Sequence, residues 1–441
     1  MATEYKVSQY NVPYKRDNTY FLYNSHTGAF VKLNATYRNY LKDLNSGKEI
    51  PNTALEEFTR AGFVVPKDRD ELGLYLYQHN LYNYGNTNLH LTVATTLQCN
   101  FRCPYCYEEH VDEYLEGEKE EDLKKFIQQN TNNKESLSVT WYGGEPLLMK
   151  KLIANVSEYA IDLCEKKGME YSATMVTNGY LLDRKTALEL VEKYKLSHVQ
   201  ITLDGGPETH NLTRILRNGK GTFDKILSNI KEIYDLVDIA IRVNVSKENV
   251  EDVYKLFPIL LKEGLNKKLT VYFAPVGAST EACQSISETC LVTREFSKWE
   301  TSLIEYADSI GFEMGDLLPV NRGGGICQAV DNSAYVVDAA GDLFKCWHEV
   351  GNKKLRVGTL KDGITNYDRL TKWMNWQLPK KCTTCNIMPL CKGRCPDLSL
   401  EKEDFECDQL KYNIKDRLHR YYTRNPISKQ TIEKDLIAEE V

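Results

Sequence analysis

Three cysteines crowd the stretch "TLQCNFRCPYCYEEH": Cys99, Cys103 and Cys106, spaced C-x3-C-x2-C. Thiolates are soft ligands suited to zinc or to iron-sulfur clusters, and either centre ordinarily takes four protein ligands. Nothing in the stretch offers an obvious fourth. A second set lies towards the C-terminus: Cys327 and Cys346 spaced C-x13-G-x4-C through Gly341, then Cys382, Cys385, Cys391 and Cys395 as C-x2-C-x5-C-x3-C, and finally Cys407. A zinc ribbon accounts for four of these and leaves the others over. The chain has 13 cysteines, an odd number and clustered, which argues for metal ligation over a disulfide framework. Cys164 falls on an apolar helical stripe and reads as core. Cys283 and Cys290, in a polar loop, are candidate extra ligands.

These residues need a scaffold, and from residue 90 the pattern supplies one. Apolar segments at 91–96, 137–142, 172–177, 198–203, 239–245 and 269–275 read as strands, and amphipathic helices lie between them, such as the Leu152, Val156, Ala160, Cys164 stripe. Strand and helix in alternation predict an α/β fold, a parallel sheet covered by helices, here a partial (β/α)6 TIM-like barrel over 86–311. In such barrels the loops leaving the C-terminal strand ends carry the chemistry. The cysteine motif leaves the first strand, "GGEP" (143–146) the second, "TNGYLL" (177–182) the third and "LDGG" (203–206) the fourth, while Arg242 and Asn244 come from the fifth.

Residues 1–85 read as a small winged-helix-like module. A hairpin spans 19–33, a helix starts on Asn34 as N-cap and stops at Gly47, a capping box of Thr53 and Glu56 opens a second helix, and a strand returns at 61–65. Residues 312–410 are loop-rich, with a hairpin over 333–346 turning at Ala340-Gly341-Asp342 and a helix near 367–376. Residues 411–441 read as a charged helix and a tail.

The run "CNFRCPYCY", with Tyr105 just before the third cysteine, resembles the signature of the radical S-adenosylmethionine (SAM) family. That resemblance implies that Cys99, Cys103 and Cys106 bind three irons of a 4Fe-4S cluster, leaving the fourth iron for S-adenosylmethionine. By the same resemblance Gly143, Gly144 and Glu145 meet the methionyl amino group and Thr177 and Asn178 lie near the ribose. Thr202 stands where a serine is usual, and Asp204, Arg214, Arg242 and Tyr105 join the cofactor-binding set. The C-terminal cysteines resemble the SPASM extension, which holds two auxiliary 4Fe-4S clusters and would bring the total to three. Cys382, Cys385, Cys391 and Cys407 would hold one, and Cys327, Cys346 and Cys395 the other. Some relatives have a further cysteine shortly before the first of this set, where Asn321 stands here, so the second cluster is left with an open iron unless Cys283 or Cys290 closes it.

The resemblance points to a maturase of ribosomally made (RiPP) peptides that forms a thioether or carbon-carbon crosslink. Anaerobic sulfatase-maturating enzymes, which make formylglycine, are the alternative. They begin near the radical motif and place an aspartate after the second SPASM cysteine, whereas here Trp347 and His348 follow Cys346. A non-catalytic zinc-stapled binding protein is the alternative of another class. The N-terminal module resembles elements that grip leader peptides by strand addition. A net charge of -6 without a basic stripe argues against nucleic acid. No apolar run approaches the ~18 residues of a membrane span, and no signal peptide is visible. The expected location is the cytoplasm, the expected partners a precursor peptide and a flavodoxin or ferredoxin reductant.

Overall fold

The computed structural model describes residues 4–278, 280–315, 318–321, 325–400 and 405–425, so the tail expected beyond 425 lies outside the described residues. The chain divides into two compact units. One comprises residues 1–82, 316–326 and 377–441, the other residues 83–315 and 327–376.

In the first unit, β1 (Tyr5–Val7) is followed by a three-stranded antiparallel meander, β2 (Asn11–Arg16), β3 (Thr19–Asn24) and β4 (Phe30–Leu33). Helices α1 (Ala35–Asn45) and α2 (Asn52–Ala61) follow, then β5 (Val64–Pro66), which pairs with β1, and α3 (Glu71–Asn83). The Asn34 side chain accepts the Tyr37 N–H at 2.9 Å, the cap that the sequence suggests. The Thr53–Glu56 capping box does not form: α2 begins at Asn52 behind Pro51, with no side-chain cap. Pro51 takes the N-cap position, so the helix opens two residues earlier than a Thr53 cap would give and Thr53 falls inside its first turn.

The second unit is built on the expected strands, β6 (Asn88–Ala94), β7 (Ser136–Tyr142), β8 (Glu170–Thr177), β9 (Leu196–Thr202), β10 (Asp238–Val245) and β11 (Thr270–Pro275), each parallel to the next. The helices between and after them are α4 (Glu118–Asn130), α5 (Lys150–Lys167), α6 (Arg184–Tyr194), α7 (Pro207–Thr213), α8 (Phe223–Ile233), α9 (Val250–Val253), α10 (Leu256–Lys262) and α11 (Thr293–Ser309). The sheet is open, with β11 at one edge. At β6 it is extended by β12 (Ala334–Val337), parallel to β6, and then by β13 (Asp342–Phe344), β14 (Gly358–Thr359) and β15 (Gly363–Ile364), before α12 (Tyr367–Met374). The hairpin read at 333–346 is thus part of the main sheet.

Register shows what the two sheet faces do. Leu91, Val139, Ala173, Met175, Val199, Ile201, Ile241 and Phe273 lie on the face buried in the main core, Cys164 of α5 with them. The other face is polar: Thr92 is in register with Thr140 and Thr140 with Thr174, followed by Gln200, and Thr202 pairs with Arg242 and Arg242 with Tyr272. Side chains alternate along a strand, so a sheet packed on both faces shows continuous apolar runs. Here one face is reserved for something polar.

The chain ends in the first unit with α13 (Met388–Cys391), α14 (Pro396–Ser399) and α15 (Leu410–Arg424). Ile414, Leu418 and Tyr422 of α15, with Ile387, form one core with Val12, Tyr14, Phe21, Tyr23 and Phe30 of the meander. The meander's opposite face, through Leu22, Val31 and Leu33, packs on Tyr37, Ala54 and Phe58 of α1 and α2. No helix among the described residues is long and apolar enough to cross a membrane.

Candidate active site

The three-cysteine loop leaves the C-terminal end of β6 and is held by its neighbours. Phe101, 1% exposed, anchors it in the core, and the Arg102 N–H bonds the Ile215 carbonyl at 2.9 Å. The Cys99 Sγ accepts from the Phe101 N–H at 3.4 Å and from Asn178 Nδ2 at 3.8 Å. Burial pushes the Cys99 and Cys106 thiols up to about 12, with the charges of Glu145 and Glu108 adding to it. Burial also raises Cys103, while Arg214 pulls it back. Such thiols lose their protons only to a strong cation, as metal ligands do.

Two glycines let the next loop approach. Gly143 has φ of 112°, and a Cβ there would stand 2.4 Å from the Thr96 carbonyl. A Cβ on Gly144 would meet the Gln98 carbonyl at 2.4 Å. The Gly144 and Glu145 N–H groups instead bond those carbonyls, each at 3.0 Å, which ties the Gly143-Gly144 backbone to the segment that leads into the cysteine loop.

Glu145 is fully buried and joins the second loop to the third. It accepts from the Leu147 N–H (3.0 Å), the Asn178 N–H (2.9 Å) and the Thr177 hydroxyl (2.8 Å). Burial raises its pKa, and those donors work against the rise. Asp204, equally buried, does the same for the fourth and fifth loops, with the Tyr105 hydroxyl on one oxygen and the Asn244 N–H at 2.9 Å on the other. Arg214 Nη1 donates to the Tyr105 oxygen at 2.9 Å, and Arg242 Nε to Asn244 Oδ1 at 2.8 Å. Burial lifts the Asp204 carboxyl, Arg214 opposing it. Thr202 is buried at the end of β9 beside Arg242. Of the sequence-assigned cofactor residues, Glu145, Thr177 and Asn178 thus form one hydrogen-bonded network and Tyr105, Asp204 and Arg214 another, with Arg242 bonded to Asn244 of the same network.

Residues 93–257 match the model of the Radical SAM superfamily. The chain carries a radical SAM domain. It is 32% identical over 169 residues to an Fe-coproporphyrin III synthase of Methanosarcina barkeri, a match covering 38% of this chain and only 40% of that protein. A cysteine-type anaerobic sulfatase-maturating enzyme of Clostridium perfringens is 23% identical over 70% of this chain and 89% of its own. Among solved structures, Streptococcus suis SuiB bound to precursor peptide SuiA aligns over 92% of this chain and 99% of its own, with a TM-score of 0.51 and 15% identity. Radical SAM enzymes use a 4Fe-4S cluster and S-adenosylmethionine, and the donor set fits: three half-buried cysteines on one loop, with the Arg214 cation in electrostatic reach of Cys103.

Outside the radical SAM domain, Cys382, Cys385, Cys391 and Cys407 line one cavity of about 90 Å³, with Ile387 and Phe405 on its apolar side. Burial pushes the Cys391 thiol up to about 12. Lys392, Gly393 and Arg394 all have positive φ (54°, 80° and 69°), a tight reversal that separates Cys391 from Cys395. Cys395 lies in this first unit, Cys327 and Cys346 in the second. Of the candidate extra ligands, the Cys283 thiol donates to the Thr280 carbonyl at 3.5 Å and the Cys290 thiol to the Ile286 carbonyl at 3.5 Å. No cysteine is in a disulfide.

Sequence reasoning missed Glu108 and the aromatic wall beside it. Tyr107 and Tyr142 share a hydroxyl hydrogen bond, Tyr142 packs on Trp347 with centroids 4.5 Å apart, and Tyr107 meets the His348 edge at 5.4 Å. Glu108 is 8% exposed, and burial lifts its carboxyl to about 7, with the neighbouring Tyr142 hydroxyl easing the rise. Neither oxygen accepts a hydrogen bond of proper geometry. A glutamate next to Glu109 in a polar run reads as surface, and nothing in its spacing gives the burial away.

Proposed function

We propose that this chain is a radical SAM peptide maturase, which takes a hydrogen atom from a precursor peptide and closes a thioether or carbon-carbon crosslink. The observation that carries this reading is the extent of the fold likeness to SuiB. An alignment over 92% of the chain takes in most of the N-terminal module as well as the radical SAM domain and the cysteine-rich segment. When bound to the cluster, S-adenosylmethionine supplies on one-electron reduction a primary carbon radical able to attack unactivated positions. In this reading Cys99, Cys103 and Cys106 hold that cluster. The backbone groups of Gly143 and Gly144, together with Glu145, Thr177, Asn178, Thr202, Asp204, Arg214, Arg242 and Tyr105, bind or position the cofactor. Glu145 and Asp204 do so by fixing loops, since both oxygens of each are already engaged.

The polar sheet face lined by Thr140, Thr174, Gln200 and Tyr272 gives a peptide a surface with hydrogen-bonding groups. The aromatic wall of Tyr107, Tyr142 and Trp347 excludes water near the reacting carbon. Cys382, Cys385, Cys391 and Cys407 hold one auxiliary 4Fe-4S cluster, and Cys327, Cys346 and Cys395 contribute to another. The winged-helix-like module of residues 1–85 binds the leader peptide by strand addition. A cytoplasmic flavodoxin or ferredoxin provides electrons.

Formylglycine formation is the second reading, favoured by the sulfatase-maturating relative. Against it stands the Trp347-His348 pair where an aspartate is expected after Cys346. Anaerobic co-expression with short cysteine-containing peptides encoded beside the gene, followed by fragmentation mass spectrometry, decides. A peptide lighter by two hydrogens with an internal link supports the maturase, whereas conversion of a sulfatase-motif cysteine to an aldehyde overturns it.

A further inference from the structure

Lys345 is 1% exposed, one residue before Cys346 and at the end of β13. Its ammonium donates to the carbonyls of Asp331 (2.6 Å) and Ala334 and lies 4.6 Å from the centre of the Tyr335 ring. Those carbonyls belong to the segment that begins at Cys327, and the charges acting on the lysine are, in order, the Asp331 carboxylate, the Cys327 sulfur and the Glu349 carboxylate. The buried carboxylate of Glu349 is taken up elsewhere. One oxygen accepts from Arg369 Nε (2.9 Å) and Trp373 Nε1 (3.1 Å), the other from the N–H groups of Lys345 (3.3 Å) and Cys346 (3.2 Å).

A buried cation is costly unless an anion or a full set of acceptors faces it. Carbonyls and a ring solvate this one in part, and the ammonium lies in electrostatic reach of the Cys327 sulfur, one residue before Cys346 in the chain. A cluster with thiolate ligands is the kind of anion that completes such a site, and its net charge is one of the quantities that set its reduction potential. We propose that Lys345 is the buried counter-charge of the iron-sulfur cluster to which Cys327 and Cys346 contribute, a positioning residue that favours assembly of that cluster and raises its potential. The inference rests on the cluster reading of those two cysteines. In a medium of low polarity the cation stabilises the more negative, reduced cluster more than the oxidised one.

The test uses full-length protein reconstituted anaerobically as wild type, K345M, K345R and C346A, with iron and sulfide content and EPR-monitored potentiometric titration as readouts. The signal lost in C346A identifies the cluster. In K345M that signal is expected at a lower potential, with the remaining signals unmoved, and in K345R close to the wild-type value. An unshifted signal in K345M, or an equal shift in K345M and K345R, overturns the counter-charge. If K345M fails to assemble the cluster, K345R decides: assembly at the wild-type potential supports the proposal and failure in both variants overturns it. A wild type that loses no signal in C346A overturns the cluster reading itself, and the inference with it.

Discussion

Asp338, 1% exposed, sits at the β12–β13 turn, where its Oδ1 accepts the N–H groups of Ala340 (3.0 Å) and Asp342 (2.9 Å). Burial raises its carboxyl from 3.8 to about 6, the turn N–H groups opposing the rise and the Asp342 charge adding to it. The folded state therefore holds a proton that the unfolded chain releases. Folding takes up a proton between the two values, so stability falls as pH rises from the ordinary value through about 6, and the penalty is complete above that. Keeping this carboxylate ionised in the folded chain costs roughly 3 kcal/mol at most. Asp338→Asn keeps the accepting oxygen and has no charge to bury. Its melting temperature is expected to gain on wild type from about pH 4 to about pH 7 and then run parallel, whereas a gap independent of pH would sink this account of the turn. The hairpin itself was legible from its Gly341 turn. The cost of its aspartate was not, because burial depends on β12 joining the main sheet beside β6.

At the scale of elements, the alternation in "TYFLYN" shows that β3 has two apolar faces, and a strand with two apolar faces needs two partners. Sequence identifies one, the helices that follow at once in the chain. The other is α15, more than 380 residues on, whose Ile414, Leu418, Tyr422 stripe is easily read as amphipathic but does not name what it packs against. The module of residues 1–85 thus shares a core with α15. Phe21 is its centre, with ring centroids 4.9 Å from Tyr14 and 4.8 Å from Tyr422. The same unit holds Asn386 between two cysteines of the cavity, where its side chain donates to the Asn11 carbonyl at 3.0 Å and its carbonyl accepts from the Ser25 hydroxyl at 2.5 Å. Phe21→Ala is expected to cost about 3–5 kcal/mol, as loss of a buried aromatic does. It should also lower iron retention at the Cys382, Cys385, Cys391 and Cys407 site, measured by iron content after gel filtration. Full iron retention in a destabilised variant would show that the cavity does not depend on the meander. Simple deletion of the module is a poor test of leader binding, since it strips α15 of its partner.

For the whole molecule, the order of strands and the position of each loop motif were legible because each parallel strand must be followed by a covering helix. The polar inner face was not, since the same strands also read as apolar when judged by their buried half. Two of the cysteine groups fall each within one unit: the radical SAM loop rests on β6 of the second unit, and the four-cysteine cavity is lined wholly by residues of the first. Sites whose ligands share no core should lose their metal independently. Replacing Cys99, Cys103 and Cys106 by alanine is expected to remove about four irons and all 5′-deoxyadenosine formation, while replacing Cys382, Cys385, Cys391 and Cys407 removes about four others. The combined variant should then lose the sum, leaving about four of roughly twelve irons if a third cluster is present. Iron and sulfide analysis of the three proteins checks this. A first variant that loses all its iron would contradict independent sites, and one that loses none would remove the basis for a cluster at Cys99, Cys103 and Cys106. Zinc in place of iron after strictly anaerobic preparation would favour a structural staple and overturn the enzymatic reading of the C-terminal cysteines.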